Sequence, residues 1–561
     1  MAFALSGLGL ANAQWSDDPG TNNCLMPEDF YTWEPIMLSD GTFYVFADRP
    51  DGSVDTIVPY LYRFDKDGND VWGGPIEITR TLTATWTKTM SHLLVDDEDN
   101  AVIVVQNMKS GLAESYTAYK ISPEGEFLWP EGGVDLHDGT IPDDQYCAAV
   151  QLTQLSDGSY LFTWMGDEIM MQRVSRDGQV QWGEGKAFGS GAYPYAFDAG
   201  DGDLLMIYQS SGIMARRLDF EGNDVWPEPV PVFSGELNSN IPLWTYIKVI
   251  PMSDGILVGY YAFEGDFHYP AISYIKFDGT HGFAEADQGL RLGFSDYFGF
   301  APALDVDEEN NSIYAAWEEY PGSQSISRMV CQKVSLDGEL LWDPEGVELM
   351  PMLERPVSYQ TVSVGPKGSV MIGVMEQYDG DGHGIGAHSP VNIHAFLLNA
   401  NGEFAWADTS KMICNVPSVK YDLTCLPYSD DQWIFMWEDC RQDGGVDGGF
   451  IYGQNIGLDG TLGDIVANES RTVARPSAFS VWPNPARETL SLRLDNAHVS
   501  RPVQVELLNT NGAVIAQIYD GNLQAGSNLI EWNRPASVPA GFYILKAVIG
   551  NECRYAKVIL Q

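Results

Sequence analysis

The sequence predicts an all-β chain: a β-propeller of about eight blades, followed by a C-terminal immunoglobulin-like β-sandwich. Three observations carry this reading. A turn-and-tryptophan pattern returns every 44 to 64 residues, which is the spacing of four-stranded blades. The 57 glycines and 31 prolines punctuate short apolar runs, and helical periodicity is hard to find anywhere. After Gly463 the repeat stops, and alternating strands of another kind run to the C-terminus.

At 561 residues the chain exceeds what one hydrophobic core supports, so several domains or one repetitive architecture is required. Each repeat has two halves. One is a strand, an Asp-x-x-Gly or Asp-Gly turn, and a short apolar run closing on tryptophan. It is clearest from Phe64 through Gly68 to Trp72 and from Ile121 through Gly125 to Trp129. Further copies centre on Gly178 with Trp182, Gly222 with Trp226, Gly338 with Trp342 and Gly402 with Trp406. Around Gly279 only Phe283 stands near the tryptophan's place, and around Gly460 the closing aromatic is lost. The other half is a hairpin of two apolar strands, with turns at Gly41, Asn100, Gly158, Gly202, Gly255, Asn311, Gly368 and Asp431. Gly, Asn and Asp supply the unusual dihedrals of such turns. Together the halves make four antiparallel strands, A to D. The recurring tryptophan is expected to pack between neighbouring blades, where radial splaying leaves a gap. The motif resembles the tryptophan-docking repeat of quinoprotein-like propellers, but nothing else suggests a quinone cofactor. The eighth unit lacks a good closing strand, and Cys24 to Trp33 is expected to supply it.

The propeller therefore spans residues 14–465, and 466–476 reads as a polar linker to a domain at 477–561. That domain opens on Trp482-Pro483-Asn484-Pro485 and continues with strands at Leu490–Leu494, Val503–Leu508 and Asn528–Trp532. These strands alternate apolar with polar, as half-buried strands do. An Asn511-Gly512 hairpin, a Gly541-Phe542-Tyr543 strand and a closing Lys557-Val558 strand complete it. These residues resemble the type A sorting domain of the Bacteroidetes type IX secretion system. The resemblance implies passage through the type IX translocon, handling by a surface sortase, and a place outside the cell or on the outer-membrane surface of a Gram-negative bacterium.

Other features agree with export. Met1 to Leu10 is apolar and Ala11-Asn12-Ala13 is a small-x-small site, which reads as a signal peptide over residues 1–13, although no basic residue precedes the apolar run. No later segment approaches the length of a membrane-spanning helix. With 31 basic against 78 acidic residues and a net charge of −47, nucleic acid and anionic membrane surfaces are excluded as natural partners. Of the seven cysteines, Cys414, Cys425 and Cys440 cluster in sequence and are the expected source of a disulfide in an oxidising compartment.

In a propeller the A–B and C–D turns share one face, and the B–C and D–A loops share the other. Here the turns are short and repetitive while the B–C loops vary, and variable loops on a rigid scaffold are where binding sites are built. Six residues beyond each A–B turn stand Ala47, Gln106, Trp164, Tyr208, Tyr261, Trp317, Val374 and Trp437. Carboxylates follow several of them, notably Glu318, Glu376 and Glu438. The candidate ligand-binding set is thus Trp164, Tyr208, Tyr261, Trp317, Trp437, Glu318, Glu376 and Glu438: aromatic platforms ringed by acids, suited to sugar rings. The plainer reading makes the aromatics blade packing and the acids solvated loop ends. The acidic turns 96–100 and 305–310 offer oxygen ligands of the kind calcium takes, without a full calcium-binding loop. The loop from Asp379 to His388 gathers His with Asp. No nucleophile, phosphate-loop or zinc-protease motif stands out, so the expectation is a glycan-binding or surface-protein-binding protein with no cofactor. The alternatives are a polysaccharide-active hydrolase or lyase using the same carboxylates, and a structural surface component.

Overall fold

The structure is a computed structural model. It describes residues 15–561 apart from 31, 51–56, 79–91, 110–112, 138–147, 238–247, 323–325, 354–356, 378–388, 443–448, 464–478, 483–485, 488, 497–500, 510–512, 524–525, 536 and 550–551. The expected signal peptide, the linker, the His-containing loop, Pro483 to Pro485 and the Asn511-Gly512 turn lie outside the described residues. The chain divides into two compact units, residues 1–466 and 467–561.

Among the described residues the first unit holds eight antiparallel sheets. Their inner A strands are Thr32–Met37, His92–Val95, Ala148–Gln154, Ala192–Gly200, Lys248–Met252, Ala303–Asp307, Val357–Val364 and Lys420–Cys425. Consecutive A strands touch around most of the circle, which places them innermost. In the eighth sheet the A, B and C strands come from the end of the unit, and Asn23–Phe30 joins Gly449–Gly457 as the outer strand. The expected closing segment is therefore split by function: Asn23–Phe30 closes the ring, while Thr32 and Trp33 already begin the first sheet.

Strand alternation explains the packing, since each sheet presents apolar residues on both faces to its two neighbours. Every apolar cluster in the unit is shared by two consecutive sheets. Val102 and Tyr116 of the second sheet meet Phe162 and Trp164 of the third. Phe43 and Val45 of the first sheet meet Ile434 and Ile451 of the eighth, together with Met26 and Phe30 of the closing strand. The circle of clusters is complete.

The tryptophans reinforce it in a regular way. Each closing aromatic lies on the C–D turn glycine of the next repeat, where a side chain would collide. A Cβ on Gly178 would stand 2.8 Å from Trp129, and one on Gly402 would stand 3.0 Å from Trp342. Phe283 takes the same place against Gly338. At four of them the indole N–H also donates to the following turn: Trp72 to the Pro123 carbonyl at 3.0 Å, Trp129 to that of Arg176 at 3.1 Å, Trp342 to that of Ala400 and Trp406 to that of Leu458. Trp182 Nε1 has no such partner among the described residues. The aromatic missing after Gly460 is supplied from the other end of the chain. Trp15 packs on Gly68, 3.0 Å from a Cβ placed there, and donates to the Lys66 carbonyl at 2.9 Å.

The expected disulfide is corrected. Among the described residues no disulfide joins Cys414 and Cys425, because the fold distributes the sequence cluster over different strands: Cys414 in Ser410–Ser418, Cys425 in Lys420–Cys425, and Cys440 just beyond Gln432–Asp439.

The second unit, taken by itself, has two sheets. Phe479–Trp482, Thr489–Asn496 and Gly526–Asn533 form one; Arg501–Leu508, Val514–Leu523, Gly541–Ile549 and Glu552–Leu560 form the other. Leu490, Leu492 and Trp532 from the first sheet share a core with Val505, Leu507, Leu545 and Val558 from the second. Two sheets packed on one core make a β-sandwich.

Candidate functional site

The aromatics singled out from the sequence do share one level of the ring, but they face inward between sheets. Trp164, Trp317 and Trp437 are buried in the clusters joining sheets two and three, five and six, and seven and eight. Tyr208 lies in the cluster between sheets three and four, and Tyr261 is buried beside Phe263, His268 and Phe300. The expectation of exposed platforms is corrected: B-strand alternation directs these rings into the gaps between blades, where they are buried.

The neighbouring acids divide into two kinds. In sheets six and eight an indole N–H donates to the carboxylate two residues on, Trp317 to Glu319 at 2.9 Å and Trp437 to Asp439 at 3.0 Å. Each of those carboxylates also takes an arginine at 2.6 Å, Arg328 and Arg441 respectively. These acids fix the tryptophans. Glu318, Glu376 and Glu438 are different, although all three are nearly buried. Burial pushes the Glu318 carboxyl up to about 8, against hydrogen bonds from Ser358 and Ser327 that oppose the rise. Glu376 meets His394 Nε2 at 3.0 Å, and Glu438 pairs in register with Tyr421 of the inner strand.

What the sequence did not reveal lies opposite the predicted residues, on the A strands. In sheets three, four, seven and eight, two A-strand residues oppose one B-strand residue, and the bulged-against residues are Trp164, Tyr208, Val374 and Trp437. In the sixth sheet the inner strand breaks between Gly299 and Ala303, opposite Trp317 and Glu318. Five inner strands are thus interrupted at one level, near their loop-side ends. Three of the bulges hold a non-glycine residue in the left-handed region: Tyr193 and Tyr359 at φ 50°, Asp422 at φ 53°. Such conformations cost roughly 1–3 kcal/mol each and persist where surrounding structure imposes them, commonly at ligand sites. Tyr193 and Tyr359 are half-buried and Asp422 is exposed, as the flanking Tyr195, Gln360 and Tyr421 are half-buried. No sequence signal marks the two tyrosine bulges, because tyrosine has no preference for a left-handed backbone.

Inner strands of opposite sheets are electrostatically linked. Burial pushes Glu34 up to about 7, while Leu93 N–H donates to it at 3.2 Å and Lys248 draws it back. Lys248 is pushed down by desolvation and raised by Glu34. Its side chain is exposed to solvent.

The turns considered for calcium have protein partners. Asp96, Asp97 and Glu98 converge, but Asp96 accepts from Lys120 at 2.9 Å and Tyr160 at 2.7 Å, and Arg176 pairs with Asp97 and Glu98. Asp305 accepts from Val364 N–H at 2.7 Å and Asp307 from Asn310.

A second feature is aromatic and lies between sheets five and six. Phe294, Tyr297, Phe298 and Phe300 fall within seven residues, a density readable from the sequence although it belongs to no repeat. His268, whose pKa burial lowers, meets the Gly299 carbonyl and the Tyr320 hydroxyl at 2.8 Å each. Phe298 stacks on Tyr320 at 5.5 Å.

Residues 480–561 match the family model of the secretion system C-terminal sorting domain. The chain therefore carries a type IX sorting domain, which directs export to the cell surface or beyond it. Among the described residues no helix is long and apolar enough to cross a membrane. No curated protein matches the chain. Among solved structures, a polysaccharide lyase of family PL25, an ulvan lyase bound to -[GlcA(1-4)Rha3S]-, is similar at TM-score 0.41 and 10% identity, covering 79% of this chain and 97% of its own. The polysaccharide lyase Uly1 is similar at TM-score 0.37 and 11% identity, covering 81% and 94%. An endo-arabinase from Bacteroides thetaiotaomicron gives TM-score 0.23 and 13% identity, covering 62% and 92%.

Proposed function

We propose that this exported protein is a binding protein that engages a glycan through the loop face of its propeller, at the loop-side ends of the inner strands. The observation that carries the reading is the interruption of five inner strands at one level, with Tyr193, Tyr359 and Asp422 held at positive φ. Strain concentrated in one place asks for a function there. Tyrosine rings and carboxylate or amide groups at half-exposed positions suit stacking on sugar rings and hydrogen bonding to their hydroxyls. The buried tryptophans opposite the interruptions serve as the rigid backing.

A polysaccharide-active hydrolase or lyase is the second reading, and one observation favours it. Glu318 stays protonated at neutral pH, as a general acid must, and it hydrogen-bonds Ser358, the residue before Tyr359. The test is a glycan-binding and depolymerisation screen of the secreted full chain. Retention of a glycan without release of product, weakened about tenfold or more (about 1.4 kcal/mol) by Tyr359→Asn, supports binding. Soluble sugar products abolished by Glu318→Gln establish the enzyme instead. Silence in both assays leaves a surface-protein partner or a structural role, and overturns the glycan reading.

A further inference from the structure

The chain has more than twice as many acidic as basic residues, 78 against 31, so an arginine finds a carboxylate easily. Among the described residues, every arginine of the first unit but one is ion-paired to Asp or Glu. The exception is Arg291. It ends the outer strand Leu290–Arg291 of the fifth sheet, in register with Ala271, where the chain turns into the segment leading to the sixth sheet.

Its surroundings are rings. The guanidinium carbon stands 4.7 Å from the centroid of Tyr269 and 5.4 Å from those of Phe267 and Phe294. Two backbone carbonyls orient it: Nε donates to Gly293 at 2.6 Å and Nη2 to Ser295 at 3.2 Å. An arginine has five N–H donors in a rigid planar fork, so most of them remain after those two bonds. Phe294 is 54% exposed, and Phe267, Tyr269 and Arg291 itself are half-buried.

We infer that Arg291, with Phe294, Phe267 and Tyr269, forms a subsite for a sugar ring bearing a carboxylate or sulfate. The fork takes the anionic group, a planar, charge-assisted contact that arginine makes better than any other side chain. The bare faces of the rings take the apolar face of the sugar. Holding the segment Leu290–Tyr297 in place accounts for the two carbonyl bonds. It does not account for a guanidinium with no ion pair among the described residues in so acidic a chain, beside partly bare aromatics. The site deepens the glycan reading and rests on it, adding that the glycan is anionic. Repulsion from the rest of the surface is limited at physiological salt to a range of about 8 Å, so the local contact decides the selection.

Calorimetry of the secreted full chain tests this with matched probes: oligogalacturonate and its methyl ester, a sulfated galactan oligosaccharide and its desulfated form, and a poly-glutamate peptide. The expected result is that each charged sugar binds about tenfold or more tightly than its neutral partner, one charge-assisted contact. Arg291→Gln removes that preference, Phe294→Ala weakens charged and neutral sugars alike, and Arg176→Gln, at an ion-paired arginine on the turn face, changes neither. Thermal melting of Arg291→Gln checks that the fold is intact. Equal affinity for charged and neutral sugars, or a preference that survives Arg291→Gln, overturns the subsite and leaves glycan binding standing. Failure to bind any sugar removes both readings. Arg291-dependent binding of poly-glutamate alone overturns the assignment to a sugar.

Discussion

On the turn face of the propeller each repeat passes an aromatic ring to the glycine of the next, and the A–B turns are tied in the same direction. Ser39 N–H donates to Asp99 at 3.0 Å, Asp97 N–H to Gln154 at 2.9 Å and Ser253 N–H to Glu308 at 3.1 Å. Arginines do likewise, Arg63 reaching the Pro123 carbonyl at 2.7 Å and Arg217 that of Phe277 at 2.9 Å. On the loop face the inner strands are broken and strained, rings are half-exposed, and Arg291 has no carboxylate partner among the described residues. The difference teaches how a ring fold separates duties: one face repeats its locks and carries stability, which frees the other to hold conformations that cost stability. Substitutions on the two faces should therefore fail in different ways.

The largest effect is expected from opening the ring. Removing residues 15–30 deletes Trp15, Met26 and Phe30 from the cluster between the eighth and first sheets. At roughly 3 kcal/mol for each buried side chain, the loss is on the order of 10 kcal/mol, and chemical denaturation should show a chain with no cooperative native baseline. A shortened chain as stable as the full one would show that the closing strand is dispensable.

Next comes a single lock. Trp129→Ala removes a buried ring from Gly178 and an indole hydrogen bond to the next turn, and should cost about 3–5 kcal/mol. Its urea midpoint should fall while glycan affinity of the folded fraction stays unchanged. Trp317→Ala is expected to behave in the same way, since that ring is also backing; a selective loss of binding there would return it to the site.

The third effect depends on pH. Glu318 has a folded pKa raised to about 8, above its unfolded value. The folded state therefore holds the proton more tightly, and this contribution is fully present below about pH 4.5 and is lost as pH rises through 8. Stability should fall by up to about 1.4 kcal/mol per pH unit across that window. Glu34, raised to about 7, adds a similar slope at lower pH. Glu318→Gln should flatten the upper part of the curve; an unchanged curve would mean that Glu318 is ionised in the folded state.

The smallest stability change belongs to the loop face. Asp422→Asn keeps a residue type that tolerates positive φ and lies exposed, so unfolding should shift by no more than about 0.5 kcal/mol. Glycan retention should nevertheless drop. Loss of stability without loss of binding would erase the contrast between the faces.

The repeat was legible because glycine, aspartate and tryptophan are used for what only they do: left-handed turns and a wide flat ring. Asp65 to Trp72 announces its hairpin as plainly as the coordinates do. Trp15 was not legible as the eighth lock, since a ring that joins both chain ends has no local spacing. The candidate residues Trp164, Trp317 and Trp437 were found at the right level and assigned the wrong direction, because a blade buries both faces and alternation no longer separates core from surface. Tyr193 and Tyr359 gave no sign at all.

The sequence by itself determined the class of fold, the period of the repeat, the export domain at residues 480–561 and the excess of negative charge. All of these are written in residues within a few positions of one another. Only the tertiary structure decided which end closes the ring, which carboxylates fix tryptophans, where the inner strands break and which of the described arginines of the first unit lacks an ion pair. Ring closure joins Asn23–Phe30 to Gly449–Gly457, hundreds of residues away, and the other three depend on strand register and side-chain direction, which no local preference encodes.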